Sequence, residues 1–175
     1  MGKVTFPQTY KHNRSVDAIT ASQIDRLQPC KIVDVGCGDG FYGAVCRQIV
    51  PNAVIHGVES SYRWYSHCME SRDYDEVVLS SANAYQLPYC DLVIFGDVLE
   101  HMDKSVAMEC LSMALEKASY VIVNGPIGFQ PQDHDDPEEV HRCGITKEDF
   151  DEERVIEYNE TEFGVMMNCL MRGRP

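Results

Sequence analysis

The 175-residue chain has no apolar run approaching the roughly 18 residues of a bilayer-crossing helix, which excludes a helical membrane span. It has no CxxC pair among its eight cysteines (30, 37, 46, 68, 90, 110, 143 and 169). Scattered cysteines of this kind make neither a disulfide framework nor a zinc cluster, and the expectation is reduced, mostly buried thiols. No basic-then-apolar leader opens the chain, so the expected location is the cytoplasm. Basic charge is also in short supply: 15 Lys plus Arg stand against 28 Asp plus Glu, a net charge of −13. Phosphate neutralisation supplies most of a nucleic-acid binder's affinity, so neither nucleic acid nor an anionic membrane is expected as a partner. Repeats, low-complexity tracts and Gly/Ser linkers are absent, leaving one domain over 1–175.

What is present alternates. Short β-branched runs separate helical patterns, the arrangement of a parallel sheet with crossover helices. Residues 1–14 read as an irregular arm. Val16, Ile19, Ile24 and Leu27 then share a helical face that Ser15 opens and Pro29 closes. Strands are expected at 31–35, 54–58, 76–79, 91–95 and 120–123, with helices at 42–50, 61–72 and 104–117 between them. The tail reads as two strands, 154–158 and 164–171, whose short polar connection implies an antiparallel hairpin. Residues 124–150 carry little pattern before Thr146. So long a connection after the fifth strand is expected to form a substrate-side loop.

The most informative segment is Val33-Asp34-Val35-Gly36-Cys37-Gly38-Asp39-Gly40. Glycines between a strand and a helix bring bare backbone against a ligand, with the helix N-terminus behind it. The dinucleotide fingerprint GxGxxG is not met, since Phe41 stands after Gly40. That disfavours a nicotinamide-dependent oxidoreductase. An acid two residues before the first glycine suits a ligand that carries an ammonium group. Glu59, at the end of the second strand, offers two oxygens to the two hydroxyls of a ribose. Asn83-Ala84-Tyr85-Gln86-Leu87-Pro88 follows the third strand, and Gly96-Asp97-Val98-Leu99-Glu100-His101 follows the fourth.

In order and spacing these segments resemble the class I S-adenosylmethionine-dependent methyltransferases. Asp34 through Gly40 matches the superfamily's first motif and Glu59 its ribose-binding acid. Asn83-Ala84 through Leu87-Pro88 matches the adenine-contacting D-A-x-x-L-P segment, with Asn83 in place of Asp. Asp91-Leu92-Val93 through Val98-Leu99-Glu100-His101 matches the fourth motif. The resemblance implies a Rossmann-like, doubly wound α/β fold, with a seven-stranded, mostly parallel sheet whose last strand is antiparallel. It implies S-adenosylmethionine as cofactor, held by Asp34, Gly36, Cys37, Gly38, Gly40, Glu59, Ser60, Asn83, Ala84, Gly96, Asp97 and Val98. The back half, from Gly125-Pro126-Ile127-Gly128-Phe129 to Phe150, is similar to small bacterial and phage methyltransferases of undefined substrate. It departs from their pattern at Asp136, Cys143 and Ile145.

Methyl transfer from a sulfonium needs an acceptor placed in line and, for a hydroxyl acceptor, a group to take its proton. His101, Glu139 and His141 are the candidate catalytic residues, with His134, Asp97 and Asp135 as alternatives. Glu139 and His141 would share one side of an extended segment folded over the pocket. The spacing of His134 and His141 among Asp133, Asp135 and Asp136 fits no standard metal loop, so no metal ligands are assigned, and the sequence is silent on whether a metal takes part. The DNA amino-methylating enzymes carry a Pro-Pro-aromatic segment where this chain has Gly96-Asp97-Val98-Leu99. That difference and the acidity disfavour DNA. The resemblance to the small bacterial and phage group, whose members resemble proteins of phage and glycan gene neighbourhoods, implies a small molecule or a sugar of a glycan as the expected acceptor. The alternative is a non-catalytic subunit that keeps the fold and binds the cofactor or a partner. The sequence is silent on oligomeric state.

Overall fold

The computed structural model describes residues 14–132, 134, 137–161 and 164–174. Of the irregular arm expected over 1–14, residues 1–13 lie outside the described residues, as do the acids Asp133, Asp135 and Asp136, while Arg14 opens the first helix. Helix α1 spans Arg14–Leu27 and strand β1 Lys31–Val35. They are followed by α2 (Phe41–Ile49), β2 (Val54–Glu59), α3 (Tyr62–Glu70), β3 (Glu76–Leu79), β4 (Cys90–Gly96), α4 (Lys104–Lys117) and β5 (Ala118–Pro126). Strands β6 (Val155–Glu160) and β7 (Met166–Arg172) complete the order. No helix of the described residues is long and apolar enough to cross a membrane.

The seven strands form one sheet in the order β3-β2-β1-β4-β5-β7-β6. Strands β1 to β5 pair in parallel, and β7 inserts between β5 and β6, antiparallel to both. The expected architecture is thus the observed one. Alternation along the strands explains why helices cover both faces. Val33 and Val35 of β1 and Val93 and Phe95 of β4 pack on one side with Ala107, Leu111 and Ala114 of α4. Ile32, Leu92 and Ile94 pack on the other with Ile24 of α1 and Val45 of α2. Each Val, Ile, Leu or Phe among these, fully withdrawn from water, contributes about 1.5–3 kcal/mol.

A buried polar network ties α1 to the antiparallel half of the sheet. Asn124 of β5 and Asn168 of β7 are register partners, and Asn168 Nδ2 donates to Asn124 Oδ1 at 2.9 Å. Asn168 and Gln23 exchange two hydrogen bonds, of 2.9 and 3.0 Å. Asn124 Nδ2 donates to Tyr42 Oη at 2.8 Å.

Residues 124–150 are more ordered than the sequence pattern implies. Their first three residues continue β5 to Pro126, because β7 supplies backbone partners at Met166, Met167 and Asn168. Ile145 bridges Ile127 and Gly128. Single helical turns occur at Pro137–Glu139 and Lys147–Asp149, so the segment at Glu139 is not extended as expected. Lys104 Nζ donates to the Gly144 carbonyl at 2.6 Å and pairs with Asp149, which fastens the far end of the loop to α4.

Candidate active site

The glycine turn leaves β1 with Gly36, Gly38 and Gly40 all at positive φ (70°, 52° and 86°). Its backbone is pinned to the neighbouring strand, since the amides of Gly36 and Cys37 both donate to the Val58 carbonyl, at 2.7 and 3.1 Å. The glycines serve different purposes. A Cβ on Gly36 would stand 2.3 Å from Val98 Cγ2, so that glycine is needed for packing. A Cβ on Gly38 would meet nothing nearer than 3.9 Å and would project from a residue of the cavity wall.

Glu59 closes the floor beneath this turn. Gly38 N donates to Oε2 at 2.9 Å and Ser61 N to Oε1 at 2.8 Å, so both oxygens are oriented by backbone. Burial pushes its carboxyl above the usual range, against the pull of the Ser61, Gly38 and Ser60 backbone. Each carboxylate oxygen keeps lone-pair capacity for a further donor.

These residues border one cavity of about 490 Å³ at the C-terminal ends of β1, β2 and β4, where doubly wound sheets place their ligands. Gly36, Cys37, Gly38, Glu59 and Ser60 line one side. Asn83, Gly96, Asp97, Val98, His101 and Glu139 line the remainder. Four residues expected at the site are not on its wall. Gly40 is buried and Ala84 is exposed. Asp34 is buried under the glycine turn, where Tyr74 Oη donates to its Oδ2 at 2.6 Å. His141 stands behind His101, with ring centroids 4.9 Å apart. His134 is exposed.

Asp97 holds a left-handed backbone, φ 55°, unusual for a non-glycine residue, with its amide on the Asn124 carbonyl at 3.1 Å. Such strain persists where surrounding structure imposes it and clusters at ligand sites. Trp64 also lines the cavity, and its Nε1 donates to Glu139 Oε1 at 2.8 Å. A sheet-buried aromatic face is the commoner role for such a helix, yet α3 buries only Cys68. Through Glu139 and Arg142 the loop after β5 reaches over the cavity, its backbone docked by Arg142 N and Cys143 N on the Glu100 carbonyl (2.7 and 3.1 Å).

Glu100 is the residue to which sequence reasoning assigned no role. It is 2% exposed, and burial, followed by the charge of Asp97, drives its carboxyl well above the ordinary range. Burial and then His141 lower the pKa of His101. The eight thiols are free, seven of them buried, and Cys37 and Cys68 lie with their sulfurs 3.4 Å apart beside the turn.

No family model matches the chain, and no curated protein sequence matches it. Solved structures do. The N-terminal domain of EvdMO1, crystallised with S-adenosylhomocysteine (SAH) and D-fucose, superposes with a TM-score of 0.68 at 13% identity, over 94% of this chain and 85% of that one. Magnesium protoporphyrin IX methyltransferase from Synechocystis PCC 6803, with bound SAH, gives 0.67 at 15% identity over 92% and 83%. The plantazolicin methyltransferase BpumL, with a desmethyl analogue and SAH, gives 0.67 at 12% over 91% and 84%. At these identities the likeness establishes the fold, which is the class I methyltransferase fold that the motifs implied.

Proposed function

We propose that the chain is an S-adenosylmethionine-dependent methyltransferase acting on a small molecule or a sugar hydroxyl. The observation that carries this reading is Glu59, a buried carboxylate oriented by two backbone amides at the floor of a cavity beside the open glycine turn. The residues present fit the cofactor. Glu59 would accept the ribose hydroxyls, Asn83 would face the adenine edge, and the bare backbone at Gly38 leaves the space that a side chain would fill. Bound there, S-adenosylmethionine would supply a sulfonium methyl already activated for displacement.

The chain's own work is then to hold the acceptor in line and keep water out. Trp64, Glu139 and Arg142 line the cavity and would do both. Glu139 can take the proton of an acceptor hydroxyl. The acceptor class rests on charge: at −13, the chain repels polyanions. EvdMO1 was crystallised with a sugar, D-fucose, and that supports a sugar acceptor here.

The test is SAH release over a panel of sugars, nucleotide sugars and small hydroxylated molecules. Turnover of one of these supports the reading. Turnover of only RNA or protein would replace the acceptor class. Cofactor binding with no SAH from any acceptor would favour the non-catalytic subunit.

A further inference from the structure

Three groups from two segments of the sequence converge at the cavity wall, with His101 on the wall itself. Glu100 and His101 lie on the single helical turn Leu99–His101 after β4, and His141 comes from the loop after β5. One oxygen or nitrogen of each lies within 4.8 Å of the other two. We propose that Glu100, His101 and His141 bind one divalent transition-metal cation at the acceptor side of the cavity. The site itself stands on this geometry, while its role rests on the methyltransferase reading above.

Each ligand is prepared in a different way. His141 Nδ1 lies 2.6 Å from the Gln130 carbonyl oxygen. A carbonyl can only accept, so Nδ1 carries the hydrogen and Nε2 is left as a lone-pair donor. Backbone carbonyls set metal-binding histidines in this way. His101 Nδ1 is buried with no hydrogen-bond partner among the described residues. A buried ring nitrogen without a partner forfeits its hydration, and a cation restores that loss. Glu100 is a buried carboxylate that no ion pair reaches among the described residues, with Asp97 adding charge of the same sign nearby. Buried carboxylates are commonly paired or ligate metals.

The set of two imidazoles and one carboxylate suits Zn²⁺, Co²⁺ or Fe²⁺ better than Mg²⁺, which prefers oxygen and keeps its water. Bonds of about 2.0–2.2 Å require ligand atoms roughly 3.3 Å apart in a tetrahedral site. Closing the remaining distance requires side-chain rotation of His141 and His101, both of which are only half-buried. The backbone already holds the two elements together, because the amides of Arg142 and Cys143 share the Glu100 carbonyl.

His101 lines the cavity, so a cation bound to it stands at the acceptor's side. An acceptor hydroxyl that reaches the cation loses its proton more easily. That proton passes to the Glu139 carboxylate, whose charge already bears on His101. The acceptor oxygen then forms its bond to the methyl carbon while the carbon–sulfur bond breaks and sulfur keeps the electron pair.

The experiment uses the full chain, freed of metal with a chelator and titrated with Co²⁺ while its visible absorption is recorded, with Zn²⁺ competition to follow. The expected result is one Co²⁺ per chain with the intense visible bands of a low-coordinate site, displaced by Zn²⁺. His141→Ala and His101→Ala should each weaken binding at least tenfold, while the exposed His134→Ala should leave it unchanged. Glu100→Gln should also weaken binding, provided that its circular dichroism matches wild type. Absence of saturable Co²⁺ binding, or binding that survives both histidine substitutions, would overturn the site. S-adenosylmethionine binding by the metal-free chain is measured in parallel. Loss of the metal site with cofactor binding intact removes this inference alone, and loss of cofactor binding alone removes the proposed role of the cation.

Discussion

Trp64 donates its indole N–H to Glu139 across 2.8 Å, joining α3 on one side of the cavity to the loop after β5 on the other. The bond links the element that follows the expected ribose-binding acid to the segment proposed to face the acceptor. It is the chain's only tryptophan.

Intrinsic fluorescence therefore reports on the cavity with no added label. Titration with S-adenosylmethionine or SAH should change the emission of Trp64, saturably and with the same affinity that calorimetry gives. Glu139→Gln should shift the emission of the free protein, since the indole loses a charged acceptor, with at most about 1 kcal/mol lost in stability. An emission that stays constant through saturating ligand would separate Trp64 from the ligand site.

The glycines at 36 and 38 should respond differently to alanine. Gly36→Ala forces a Cβ onto Val98 and should destabilise the fold by about 2–4 kcal/mol. Gly38→Ala has room within the protein and costs roughly 1 kcal/mol for its left-handed backbone. It should nevertheless lower cofactor affinity tenfold or more, because the methyl enters the ligand's space. Thermal melts and calorimetry on the two variants separate packing from binding.

Glu59 sets a pH dependence with two opposite signs. Burial raises its carboxyl above the ordinary 4.5, and on the proposed reading the ionised form would accept the ribose hydroxyls. Cofactor affinity should be level at neutral pH and fall, by about tenfold per pH unit, once the pH drops below this raised value. The decline begins above pH 4.5. The unliganded fold behaves in reverse. A carboxyl with a raised pKa contributes stability below its unfolded value, which is lost as pH rises through its folded value. The stability difference between wild type and Glu59→Gln should follow that course, measured by urea unfolding across pH 4 to 8.

The polar network at Asn168 is a structural requirement rather than part of the site. Asn168→Leu removes the partner of Gln23, Thr20 and Asn124 together. Buried groups left unsatisfied cost about 1–3 kcal/mol each, partly recovered by relaxation, so a loss of about 2–4 kcal/mol is expected. For a domain of this size that lowers Tm by roughly 6–12 °C. Cofactor affinity of the folded fraction should be unchanged.

Much of this architecture is legible in the residues. Lys31–Val35, Glu76–Leu79 and Lys104–Lys117 have the bounds that apolar periodicity and turn residues imply. The glycine turn and Glu59 declare themselves because few residue types can do what those positions require. The extension of β5 through Asn124-Gly125-Pro126 is not legible, since those residues open the patternless segment expected to be a loop and pair with β7 as a strand. Nor is the seat of the loop on Glu100, which is made by backbone amides and leaves no side-chain pattern. The approach of His141 to His101 depends on that seat, which is why one reads as a loop residue and the other as a motif residue. Asp34 shows the limit from the other side. Its place in the motif suggests a ligand contact, while the structure gives its Oδ2 to Tyr74.

The most direct test is isothermal calorimetry of wild type and Glu59→Ala with S-adenosylmethionine and with NAD. The account predicts micromolar binding of S-adenosylmethionine to wild type, a loss of tenfold or more in Glu59→Ala with its fold intact, and no binding of NAD. Failure of wild type to bind S-adenosylmethionine, or equal binding by wild type and Glu59→Ala, would contradict it.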